Sequence, residues 1–105
     1  MAWVLLIIAG LLETGWAMAL KYSDGFTRLG PSVLFLVLGT ISFVLLAVAL
    51  RTLPVGTAYA VWTGIGALGT ALLGVALFGE MLGPVRIGGI ALVLAGIAAL
   101  KLAPG

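Results

Sequence analysis

The stretch Ala2-Trp-Val-Leu-Leu-Ile-Ile-Ala-Gly-Leu-Leu-Glu13-Thr-Gly-Trp-Ala-Met-Ala-Leu20 carries a single charge, at Glu13. A helix needs about 20 mostly apolar residues to cross the hydrocarbon core of a bilayer, and this run has the length and the composition. A carboxylate inside it costs several kcal/mol to keep ionised, so Glu13 marks a functional site rather than a surface charge. The chain has only three acidic residues, and the other two, Asp24 and Glu80, fall between apolar runs. Those two read as solvated loop charges.

Outward from this stretch the pattern repeats. Of 105 residues, 64% are hydrophobic and 8% charged, against about 25% charged in soluble domains. Four apolar runs, at 2–20, 32–50, 56–78 and 85–103, take up nearly the whole chain. They are separated by Lys21-Tyr-Ser-Asp-Gly-Phe-Thr-Arg-Leu-Gly-Pro31, Arg51-Thr-Leu-Pro-Val55 and Gly79-Glu-Met-Leu-Gly-Pro84, each with charge plus Gly or Pro. The expected fold is all-α: an integral membrane protein forming a single four-helix transmembrane domain over 1–105. Ala17-Met-Ala19 resembles a signal-peptidase site, but no basic residue precedes the apolar run and Glu13 interrupts it, so a retained span is expected.

The same composition removes several function classes. There is no Cys and no His, hence no disulfide, no thiol chemistry and none of the usual transition-metal ligands. A net charge of +2, scattered along the chain, is no nucleic-acid footprint. Neither a metal nor a cofactor is expected. A membrane-embedded carboxylate points instead to moving a solute or a proton, not to an enzyme.

Alternate connections fall on opposite faces of the membrane. One face holds the N-terminus, Arg51 and Lys101, and the other Lys21, Arg28 and Arg86. So even a balance sets almost no orientation under the positive-inside rule. Other features could fix one orientation, or both could be inserted and pair antiparallel, as the halves of inverted-repeat transporters do around their substrate. Lys101 and Arg86 are expected to snorkel to opposite interfaces.

At about 100° per residue, Leu6, Ala9, Gly10, Glu13, Trp16, Ala17 and Leu20 share one stripe of the first span. Ser42 of the second could donate to the Glu13 carboxylate or bond its own backbone at i−4. In the third, Tyr59, Trp62 and Thr63 lie on one face, continued by Gly66 and Gly69. Tyr59 sits near the end of its span, as interfacial aromatics do. The deeper Trp62 indole N–H needs an acceptor, for which a carboxylate is the obvious candidate. Gly64 and Gly66 allow close approach or a hinge. The fourth span has Gly89 and Gly96 seven residues apart among bulky aliphatics, a packing seam for a second copy of itself.

Together these residues resemble the small multidrug resistance family of proton-coupled exporters. The resemblance rests on Glu13, Lys21-Tyr-Ser-Asp-Gly-Phe-Thr-Arg28, Pro31-Ser32, Leu53-Pro-Val-Gly-Thr-Ala-Tyr-Ala-Val-Trp62, Gly64-Ile-Gly66 and the Gly89/Gly96 pair. Glu13-x-x-Trp16, Trp62-Thr-Gly-Ile-Gly-Ala67 and Leu100-Lys101 are similar to the guanidinium-exporter subtype. The resemblance implies an antiparallel, dual-topology homodimer in a bacterial cell membrane, exchanging protons for guanidinium. It implies that Glu13 is the shared proton and substrate site, surrounded by Ser42, Tyr59 and Trp62 with Trp16 beside it. The fourth helices would form the dimer seam. One departure is Thr14-Gly15, where subtype members often carry bulkier aliphatics; if that side faces the site, the pocket widens.

Guanidinium is planar, cationic and rich in N–H donors that match a carboxylate bidentately. Tetraalkylammonium ions lack donors and rely on aromatic faces. Three functions follow: guanidinium/proton antiport, broader export of quaternary or hydrophobic cations on the same scaffold, or a non-transporting assembly subunit in which Glu13 only holds helices together.

Overall fold

The computed structural model describes residues 1–104. These form four helices, α1 (Ala2–Tyr22), α2 (Leu29–Ala49), α3 (Val55–Phe78) and α4 (Pro84–Leu102), with no strand among the described residues. All four are long and apolar enough to cross a membrane. With no water in a bilayer core, only a helix satisfies every backbone group within its own segment, and the composition leaves no alternative.

Helix ends differ by a few residues from the hydropathy runs, for local reasons. α1 continues through Lys21 and Tyr22, whose side chains pack on Phe78: the Tyr22 ring lies 5.4 Å from it and the Lys21 ammonium 5.6 Å. α2 begins at Leu29, placing Pro31 in its first turn, where its missing N–H would have had no helical partner anyway. α4 likewise begins on Pro84. α3 ends at Gly79, whose φ of +66° is a left-handed conformation that glycine adopts freely. Ser23 is fully buried and organises the first loop, donating to the Leu20 carbonyl at 2.6 Å and accepting from the Phe26 N–H at 3.1 Å.

α1 is the hub. It packs along α2 and α3, α3 carries α4, and α2 and α3 meet only briefly. The core comprises Leu6, Ala9, Leu46, Ala49, Ala58, Val61 and Trp62. The fold is a flat slab, 44 × 35 × 17 Å. α4 buries none of its residues.

Glycines set the depth of the α1–α3 contact. Gly10 of α1 lies under the Ile65 side chain. In return Gly66 and Gly69 of α3 lie under Glu13 and Thr14, whose atoms fill the space that a Cβ would take. A Cβ on Gly64 would meet Ile97 and Val93 of α4 at 3.0–3.3 Å. By contrast, a Cβ on Gly89 or Gly96 would meet nothing within 4 Å.

Gly69→Ala would force Thr14 and α1 outward. Overpacking of this kind costs about 1–3 kcal/mol, so the variant should unfold at lower temperature in detergent than wild type. Gly89→Ala, open on its Cβ side, should leave the protomer's helix packing unchanged.

Candidate functional site

Glu13 projects from the middle of α1 against α3, with its carboxyl over Gly66. Its Oε1 is buried and has no hydrogen-bond partner among the described residues. A buried acceptor left unmade costs about 1–3 kcal/mol, and more when charged. The carboxyl lies on the wall of a cavity of about 550 Å³. Thr63, Gly66, Ala67 and Thr70 of α3 form the opposite wall, with Ala17 and Met18 of α1 beside Glu13. From there the cavity runs to the end of the bundle, where Lys21, Phe78, Glu80 and Arg86 line it.

One turn before Glu13, three helices are joined by polar contacts. The Ser42 hydroxyl of α2 donates to the Ala9 carbonyl of α1 at 2.7 Å and accepts from the Trp62 indole N–H of α3 at 3.0 Å. Ser42 therefore uses neither of the partners the sequence suggests, the Glu13 carboxylate or its own backbone. Trp62 likewise finds a hydroxyl rather than a carboxylate. The reason is level: both side chains meet α1 at Ala9, a turn away from Glu13, and a hydroxyl alone can accept from one helix while donating to another. Trp62 is 4% exposed, sandwiched by Phe43 at 5.2 Å and Tyr59 at 5.7 Å between ring centroids. Tyr59 itself is 58% exposed, on the open side of the slab.

The remaining expected residues divide. Thr63 and Gly66 share the cavity with Glu13. Trp16 stands edge-on to Phe35 of α2 at 5.6 Å, and its indole N–H is buried without a partner. Gly10 does not line the cavity; it is covered by Ile65. α3 is unbroken through Gly64 and Gly66, where close approach of α4 and of Glu13 accounts for both glycines. Thr14 turns away from the cavity: it is buried and donates to the Gly66 carbonyl at 3.3 Å and the Gly10 carbonyl at 3.5 Å. A Cβ on Gly15 would meet Leu38 of α2 at 3.1 Å. The Thr14-Gly15 pair thus tightens helix packing instead of widening the pocket.

Glu80 lies in the α3–α4 loop and is exposed, as expected of a solvated charge, and its carboxylate also accepts from Arg86 Nη1 at 3.2 Å on the cavity wall. The sequence signal was there, opposite charges six residues apart across a Gly-Pro turn, and the fold places the pair on the wall of the cavity that Glu13 also lines. At the other end of the bundle, the Lys101 ammonium rests 4.5 Å over the Trp3 ring.

The Small Multidrug Resistance protein family model matches residues 1–93. The chain belongs to this family. Among its relatives in the family is a protein of Yersinia pseudotuberculosis named guanidinium exporter, 60% identical over 103 residues, which are 98% of this chain and 99% of the relative. A protein of the same name from Escherichia coli K12 is 55% identical over 102 residues, 97% of each. Family membership and the four apolar helices make this a multi-pass protein of the bacterial inner membrane.

Ser42→Ala would leave the buried Trp62 N–H without its acceptor and remove the hydroxyl's bond to the Ala9 carbonyl of α1. A loss of about 1–3 kcal/mol is expected. It should appear as a lower unfolding midpoint and as increased solvent quenching of Trp62 fluorescence in a variant where Trp62 is the sole tryptophan.

Proposed function

We propose that this protein is a proton-coupled antiporter that exports guanidinium, working as an antiparallel homodimer in which proton and substrate compete for Glu13. The observation that carries this is the Glu13 carboxyl, with a buried, unpartnered Oε1 on the wall of a 550 Å³ cavity, in a chain whose relatives are named guanidinium exporter. A planar cation with N–H donors supplies what that oxygen lacks. Protonation supplies it differently, by removing the charge. Each occupant excludes the other, and that exclusion is the coupling. Alternating access then needs only two conformations that expose the cavity to opposite faces.

The open form of the protomer supports the dimer. A flat slab, with an α4 that buries nothing and glycines open at Gly89 and Gly96, suits a second copy laid against it. In an inverted copy the nearly balanced basic residues allow either orientation. Exposed Tyr59, Trp16 with its free N–H, and the Ser42–Trp62 pair would close around the two carboxyls. Gly64 and Gly66 remain the hinge candidates within α3.

The test is reconstitution in liposomes containing a pH-sensitive dye. Guanidinium and methylguanidinium should each drive proton movement, and tetraethylammonium should not. A response to tetraethylammonium would mean a broader cation exporter, and no response to any cation a non-transporting assembly subunit. Guanidinium affinity should fall as pH is lowered, because protonation takes the site. Glu13→Gln should abolish coupled exchange while the dimer stays assembled; proton-coupled uptake by that variant would refute the mechanism.

A further inference from the structure

The cavity that contains Glu13 reaches a second carboxylate at its mouth. There Arg86 donates one N–H to Glu80 Oε1 at 3.2 Å, and the two side chains are 43% and 49% exposed. A single N–H···O bond is not the two-bond fork that guanidinium and carboxylate can form, so both partners retain unused capacity. The position of Glu80 is set by the backbone. The left-handed Gly79 turns the chain at the end of α3, and the N–H groups of Gly79 and Glu80 both point at the Gly74 carbonyl. This folds the Glu80 carboxyl over Gly74, into space that a Cβ there would occupy. Lys21 also lines the mouth.

We infer that Glu80 is an entry subsite for the guanidinium group, at which an arriving cation takes the place of Arg86. This rests on the antiport reading of Glu13. Arg86 carries the same planar guanidinium as the substrate, so the exchange trades one charge-assisted pair for an equivalent one. Without Glu80 the mouth would present Lys21 and Arg86 alone, two positive charges opposing a cation, and Glu80 offsets one of them. Arg86, once released, stands on the solvent side of the cation and repels it toward Glu13. It pairs with Glu80 again after the cation has passed. Because both groups are half exposed, the effect is modest and screened by salt.

The experiment measures guanidinium-driven proton flux against guanidinium concentration in proteoliposomes, at low and high ionic strength. Glu80→Gln should raise KM about two- to fivefold with the saturating rate near wild type. Arg86→Gln should lower KM, Glu80→Asp should stay near wild type, and both shifts should shrink at high salt. If the pair only staples the α3–α4 turn, Glu80→Gln and Arg86→Gln shift the kinetics in the same direction; that result overturns the subsite. Wild-type flux with both variants unchanged also overturns it, leaving the antiport reading intact. A wild type without guanidinium response overturns both.

Discussion

At three successive levels α1 and α3 meet with no Cβ atom on one side of the contact: Gly10 under Ile65, Gly66 under Glu13 and Gly69 under Thr14. In a bilayer the helices gain nothing from hiding apolar surface from each other, since lipid tails are equally apolar. Close van der Waals packing and interhelical hydrogen bonds have to hold them, and small residues make both possible. This seam brings the Thr14 hydroxyl within reach of the Gly66 carbonyl. It also decides where the carboxyl of Glu13 lies, because the oxygen fits only where α3 has no side chain.

The second interhelical tie solves a different problem. A buried indole N–H needs an acceptor, and a carboxylate committed to it would be less available to a ligand. Ser42 takes that role, bonding Trp62 and the spare lone pair of the Ala9 carbonyl. The Glu13 carboxyl is thereby left with a buried, unshared oxygen one turn away. The Ser42 bonds and the Glu13 carboxyl are separated by a helical turn, with the aromatic layer of Phe43, Trp62 and Tyr59 beside the former.

The slab that results is lopsided. One side is held by the α1–α2 and α1–α3 seams, while α4 hangs on α3 through Gly64, Ile97 and Val93. Its exposed aliphatics and the unfilled space at Gly89 and Gly96 are what a helix has when its main neighbour belongs to lipid or to another copy. Polar mouths at the two ends differ as well: Lys21, Glu80 and Arg86 line one, and Lys101 over Trp3 marks the other.

The number of helices, their membrane character and the out-of-place charge at Glu13 were all legible in the chain. Each follows from a property of single residues or short runs: the transfer energy of apolar side chains, the cost of a buried charge, the punctuation of Gly and Pro. The glycine stripe on α3 was legible as a place of close approach, though not which neighbour approaches. Partner choice is where sequence reasoning failed. Ser42 bonds Ala9 instead of Glu13, Trp62 bonds Ser42, and Thr14 faces α3. A hydrogen bond between helices depends on their relative height and rotation to within a fraction of an ångström, and those are set by how side chains interlock. The sequence by itself determined what must be buried in the membrane and which charge is out of place there; the tertiary structure alone decided what that charge touches, because helix register is a property of the packed whole and of no single span.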